Sequence, residues 1–219
     1  MGDVAAAPAS LRERKKARTR AALIDVSQRL FAEKGYADTT LDEICAEVEV
    51  TPQTLLRYFD SKAHLALAPM TDGVEQLRAF LEHPDRVLKT LVVWKEYLAL
   101  EVRELEEPSS EANARHLQNL RAYRDWTEKD PVLVAMVADV DRRLREMLAR
   151  SLARDWDVDD DDLHVALVAA ALVAGRTAAW TRWLARDEGA DALRDELSST
   201  VAYITKRMPR SSADQLRKD

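Results

Sequence analysis

Apolar positions recur every three or four residues along most of this chain and almost nowhere alternate, so the pattern predicts helices. Leu23, Val26 or Ser27, Leu30 and Phe31 make one stripe, predicting a first helix over 11–34 that Gly35 ends. Leu41, Ile44, Cys45 and Val48 make a second, shorter stripe. Thr40-Leu41-Asp42-Glu43 reads as its capping box, the Thr40 hydroxyl and the Glu43 carboxylate closing the helix start reciprocally. Glu49-Val50-Thr51 then makes a turn. Thr51 is placed to cap a third helix over 52–58, with Pro52 at the first position, where a missing N–H costs nothing. That helix turns Leu55 and Phe59 inward and leaves Gln53, Thr54, Arg57 and Tyr58 at or near the outside. Asp60-Ser61 caps the next helix, with Lys62 in its first turn. A short helix braced in this way by another has the dimensions of a major-groove reader.

Further helices are expected near 61–80, 85–107, 110–129, 131–154, 161–187 and 189–207, with Pro84, Pro108, Pro131 and Gly189 at four of the starts. Residues 1–10 read as a disordered N-terminus and 208–219 as a flexible tail. The fold class expected is all-α: an N-terminal three-helix helix-turn-helix unit over 11–62, followed by a larger helical unit over 63–207.

Leu163 to Ala185 holds no acidic residue, and its apolar positions surround the helix axis. Such a helix must be covered on both sides. The next helix carries a single stripe of Leu193, Leu197, Val201 and Ile204. Together they offer more apolar surface than one domain needs, which points to a homodimer joined through a four-helix interface. The alternative is that both faces are buried within one chain.

Charge qualifies this picture. The net formal charge is −6, yet segment 11–20 carries Arg12, Arg14, Lys15, Lys16, Arg18 and Arg20 against Glu13 alone. Phosphate contacts are local and screened beyond about 10 Å, so a basic end on an acidic body suits a protein that grips a polyanion at one end. Cys45, the one cysteine, excludes an internal disulfide and suits a reducing cytoplasm. No secretory signal is read at the N-terminus, and the longest run free of Asp, Glu, Lys and Arg, Leu163–Gly175, is short of a membrane span.

His64, His83, His116 and His164 form no i, i+4 pair, so metal chemistry has no support. The acidic run Asp155–Asp162 lacks the Gly and Glu of a calcium loop. With no GxSxG, P-loop or GxGxxG, no enzyme activity and no cofactor are expected. Trp94, Tyr97, Trp126, Arg176 and Trp180 are the candidates for lining a mostly apolar ligand pocket, with core packing as the alternative for each tryptophan. Arg176 would meet either an anionic head group or an internal carboxylate.

Four segments resemble the TetR (tetracycline repressor) family of bacterial transcription regulators in one register. They are Arg20 to Tyr36, Thr39 to Ile44, Val50 to Leu55 and Tyr58 to Lys62. The resemblance implies a homodimer whose two helix-turn-helix units read a near-palindromic double-stranded operator, and whose larger domain binds a small effector that pulls the readers out of register. By matching position, Gln53, Thr54 and Arg57 face the groove, with Pro52 opening their helix. Thr40, Thr51, Tyr58 and Lys62 become phosphate contacts, and Arg18 and Arg20 reach the adjoining backbone. Gln53 suits adenine and Arg57 guanine, at roughly 1–3 kcal/mol of discrimination each. Two positions depart from the family pattern: Glu49 stands where it usually has Gly, and Leu56 where it often has Tyr. Either Glu49 carries roughly 1–2 kcal/mol of positive-φ strain or the turn differs. The expected function is a cytoplasmic, ligand-responsive repressor released by a hydrophobic small molecule. A helical interaction protein or small-molecule carrier without DNA binding is the competing reading.

Overall fold

The structure is a computed structural model and describes residues 10–103, 105, 120–121, 124–186 and 188–207. Helix α1 spans Leu11–Lys34, opened by a capping box between Ser10 and Glu13 and ended at Gly35, whose φ of 92° favours glycine. Helix α2 is Leu41–Val48, with the Thr40–Glu43 capping box in place. Glu49 closes it in the left-handed region at φ 57°, so the strained alternative holds at this turn. Helix α3 is Pro52–Leu56, capped by the Thr51 hydroxyl, two residues shorter than expected.

The single helix expected over 61–80 is two: α4, Lys62–Ala66, and α5, Ala68–Leu81. Pro69 is the physical reason. It offers no N–H to the preceding turn and disfavours helical geometry just before it, so the chain breaks at Leu67 and restarts. Helix α6, Thr90–Arg103, begins five residues later than the pattern implied, and Val87, placed on its core stripe, is 90% exposed. Asp155 sets that start: it accepts from the Thr90 N–H at 2.5 Å and pairs with Arg86 at 3.0 Å. Most of the helix expected over 110–129 lies outside the described residues, as do residues 1–9, Tyr123, His116 and the tail from 208; residues 124–129 are helical. Helices α7, Pro131–Trp156, α8, Leu163–Leu184, and α9, Ala190–Arg207, complete the chain, α7 and α8 opened by the side chains of Asp130 and Asp162.

Buried side chains form two clusters. One joins Leu23, Leu30 and Phe31 of α1 to Ile44, Leu55 and Phe59, and draws in Trp126 and Leu133 from far along the chain. The other fills the space among α5 to α9 around Trp94, Leu144, Leu148, Leu172 and Leu197. The stripe Leu193, Leu197, Val201 and Ile204 is spent inside this second core. Helices α8 and α9 meet closely there: a Cβ on Gly175 would fall 2.2 Å from Thr200 Cγ2. Helix α8 is long and apolar enough to cross a membrane by length and composition, at mean hydropathy 1.5, where the run of uncharged residues alone looked too short. Here it is the central helix of the larger core, with Val165, Val168, Leu172 and Val173 buried.

Candidate nucleic-acid interface

The α2–turn–α3 unit is held by local chemistry. Ile44, Cys45 and Leu55 are buried, so the rest of α3 stands outward. Pro52, Gln53 and Arg57 are exposed, and Gln53 and Arg57, four residues apart, share one face. Thr54 is half-buried; its N–H donates to the Thr51 hydroxyl at 3.2 Å, and the two hydroxyls lie 2.9 Å apart. Thr40 and Thr51 are exposed at the starts of α2 and α3, while Tyr58 is half-buried against the core. The Thr40 backbone N–H donates to Glu43 Oε2 at 2.9 Å. The Lys34 ammonium, followed by the Thr40 donors, holds the Glu43 carboxyl down to about 2. Arg18 is exposed beside Arg14, Lys15 and Lys16, continuing the basic surface along α1.

Two of the expected phosphate-binding cations are engaged within the chain. Lys62 donates to the carbonyls of Tyr36, Ala37 and Thr39 at 2.6, 3.3 and 2.9 Å, and sits 4.3 Å from the Tyr36 ring centre. An ammonium has three donors, and all three are used. Lys62 thus closes the α1–α2 turn instead of facing outward as a phosphate contact, and burial pushes its pKa down. Arg20 grips Asp72 of α5 through two hydrogen bonds of 2.5 and 2.8 Å and lies 5.2 Å from the Phe59 ring centre. It therefore ties α1 to the first long helix of the larger unit. The sequence offered no signal for Asp72, because a pair 52 residues apart is visible only in three dimensions.

The expected pocket set divides in the same way. Trp126 belongs to the N-terminal cluster, stacked on Tyr36 at 5.4 Å and edge-on to Phe31 at 5.7 Å, so it does not join the other four residues. Trp94 and Tyr97 stack at 5.5 Å on α6, and the Arg176 guanidinium lies 5.9 Å from the Tyr97 ring. Glu101, unremarked in the sequence although it falls one turn beyond Tyr97, joins them. It accepts from Arg176 Nε at 3.0 Å and Nη2 at 2.5 Å, and from Trp180 Nε1 at 3.1 Å. Arg176 therefore meets an internal carboxylate. Burial pushes both the Tyr97 hydroxyl and the Asp141 carboxyl up. A surface cleft of about 340 Å³ lies away from this set, between Arg18, Val26 and Val48 on α1 and α2.

An exposed short helix on a capped support, beside a basic helix end, defines a helix-turn-helix transcription regulator. The comparisons narrow the class. A family model described as "Bacterial regulatory proteins, tetR family" matches residues 23–68, and another, "MftR C-terminal domain", matches residues 108–209. The chain is 31% identical over 195 residues to the HTH-type transcriptional regulator TcmR of Streptomyces glaucescens, spanning 87% of this chain and 84% of that one. This chain belongs to the TetR family of bacterial transcription regulators. A TetR-family regulator structure from Syntrophomonas wolfei superposes with TM-score 0.63 at 18% identity, covering 88% of this chain and 96% of its own. A structure of a SmeT–triclosan complex does so with TM-score 0.60 at 21% identity, covering 85% and 91%. These two share the fold. Membership places the chain among regulators, a class without catalytic chemistry, in line with the expectation of no enzyme activity.

Proposed function

We propose that this regulator is a cytoplasmic repressor that binds a near-palindromic operator as a homodimer and leaves it when a hydrophobic effector enters the larger domain. The observation that carries the reading is the outward α3 face, with Gln53 and Arg57 exposed above a buried Leu55. The DNA-binding unit is 11–62 and the effector-binding and dimerisation unit 63–207. Gln53, Thr54 and Arg57 read base edges, with Pro52 at the groove-facing start of their helix. Thr40, Thr51 and Tyr58 take phosphates near helix N-termini, and Arg18 extends the grip along the backbone. Lys62 serves by fixing the turn that presents Thr40, and Arg20 by its clip to Asp72.

The dimer face is the uncovered side of α8 with part of α9. Leu163 is 72% exposed, Leu167 49% and Tyr203 59%, and Ala166, Ala174 and Ala178 lie exposed along the same face of α8 as the two leucines. A contiguous apolar strip of this kind suits a second copy of the chain. The effector reading draws support from the aromatic row Trp94, Tyr97 and Trp180 and from the triclosan-bound relative of the same fold. Two contacts support coupling of the units: the Arg20–Asp72 clip, and Trp126 with Leu133 packed into the N-terminal core. An effector that prefers the arrangement with badly spaced readers weakens DNA binding, and DNA reciprocally weakens the effector.

The test is duplex selection followed by gel shifts at graded salt. The expected outcome is a palindromic site with steep salt dependence, lost selectivity at one position in each half-site for Arg57→Ala, and roughly 1–3 kcal/mol lower discrimination there. Failure to shift any duplex at low salt would return the chain to the carrier reading.

A further inference from the structure

The chemistry around Arg176 narrows the effector, on the footing that the larger unit binds one as proposed above. Arg176 is the first arginine of α8, sits at mid-helix, and is 16% exposed. Besides the carboxylates of Glu101 and Asp141, its neighbours are donors or aromatic faces: Trp180 Nε1, the Tyr97 ring, and beyond it Trp94. Trp94 is fully buried and its Nε1 finds no hydrogen-bond partner among the described residues, which is costly for an indole N–H taken out of water. The row thus has more N–H donors than Glu101 alone can satisfy. The Glu101 carboxylate receives Arg176 twice and Trp180 once, and the Asp141 carboxylate of α7 also faces Arg176.

We propose that Glu101 occupies the seat of a ligand carboxylate, and that the effector is an apolar, aromatic-sized molecule ending in a carboxylate that takes over Arg176 and Trp180. Glu101 is the partner able to leave. It lies in the last turn of α6, two residues from its end and 16% exposed, so a rotamer change brings its carboxylate to water. Arg176 is instead held at mid-helix, facing Glu101 and Tyr97 of α6 and Asp141 of α7. An incoming carboxylate offers the guanidinium the same two-toothed geometry that Glu101 offers now. The charge of the site is unchanged by the exchange, because Glu101 leaves as the ligand arrives, and Asp141, which faces both Arg176 and Arg145, stays in place. A cationic ligand fits the row poorly. It would have to expel Arg176, and it brings nothing that the unpaired Trp94 N–H can use. Trp94, Tyr97, Leu98, Val102 and Trp183 supply the apolar walls.

The exchange has a route outward. Tyr97 Oη lies 3.6 Å from where a Cβ on Gly73 would stand, and the neighbouring residue, Asp72, holds Arg20 of the basic helix. A shift of the Tyr97 ring as Glu101 leaves therefore bears directly on the clip.

The experiment titrates the full-length protein with 1-naphthoate and with neutral 1-naphthamide, following heat of binding and tryptophan fluorescence, with gel shifts on a selected duplex in parallel. The expected result is at least tenfold tighter binding of naphthoate. Glu101→Gln, which keeps a hydrogen-bonding group but removes the competing charge, should tighten naphthoate about tenfold and leave naphthamide within twofold. Arg176→Gln should erase the preference; where that variant unfolds, Glu101→Gln carries the test. Equal binding of the two probes, or no tightening in Glu101→Gln, overturns the carboxylate proposal while leaving an effector-released repressor standing. Absence of binding by either probe overturns it too, and persistence of the DNA shift with every apolar compound tried would then count against the effector reading itself.

Discussion

The two cores of this molecule handle polar chemistry in opposite ways. In the N-terminal unit nearly every charge sits outside: Arg29 pairs with Glu33 and Glu47, and Lys34 with Glu43, all with 38–52% of the side chain exposed. Such pairs contribute at most about 1 kcal/mol each, so the unit is held by caps and a small apolar core. Its outer polar groups stay available to a partner. The larger bundle instead takes ion pairs inside. Arg86 and Asp155 are 7% and 9% exposed, and Arg176 and Glu101 16% each. There the polar groups decide how helices sit against one another. The contrast matches the division of labour proposed above, in which one end meets DNA at its surface and the other takes an effector inside.

The strongest way to break the comparison is to remove a buried charge from the bundle. Arg86→Met should leave Asp155 buried beside Thr90 with only the exposed Lys89 ammonium, 3.9 Å away, as a cationic partner and destabilise the protein by up to roughly 3–5 kcal/mol, measured by urea unfolding. Removing the exposed partner Glu33 should change stability by less than about 1 kcal/mol; equal costs would erase the distinction. Next in size, Gly175→Ala forces Thr200 aside where α8 meets α9 and should cost about 1–3 kcal/mol, with a lowered melting temperature. The N-terminal unit offers a stabilising counterpart. Glu49→Gly relieves the left-handed turn at φ 57° and should add about 1 kcal/mol while keeping the reading helix in place. A loss of stability there would mean that the Glu49 side chain has a role beyond the turn.

The smallest effect concerns pH. The Lys34 ammonium and the Thr40 donors hold the folded Glu43 carboxyl at about 2 against its ordinary 4.5. A depressed pKa stabilises the fold above the unfolded value, and this contribution is lost as pH falls from about 4.5 through about 2. Glu43→Gln should therefore flatten the acid limb of the stability curve in that window. An unchanged limb would show that the capping carboxylate is too exposed to matter.

Much of the N-terminal unit was legible because it is built from contacts between residues three or four apart. The Thr40–Glu43 box, the Thr51 cap, the inward Leu55 and the outward Gln53 and Arg57 all follow from local spacing, and the structure has each of them. The α4–α5 break is legible too, because Pro69 stands at the start of α5 as Pro131 stands at the start of α7. Lys62 was not, since its three carbonyl partners lie 23 to 26 residues away.

Trp126 and Arg176 mark the same boundary in the larger unit. Both were candidates for a pocket wall in the sequence, but a buried tryptophan can enter either of two cores, and a buried arginine can meet any acid the bundle brings across. By its own residue order the chain determined its helices, their caps and the face that each turns to water, because those depend on neighbours within one or two turns. Only tertiary packing decided that Trp126 completes the N-terminal core, that Asp72 clips Arg20 and that Glu101 answers Arg176, because each contact closes a loop of many residues whose ends meet only after the helices have docked.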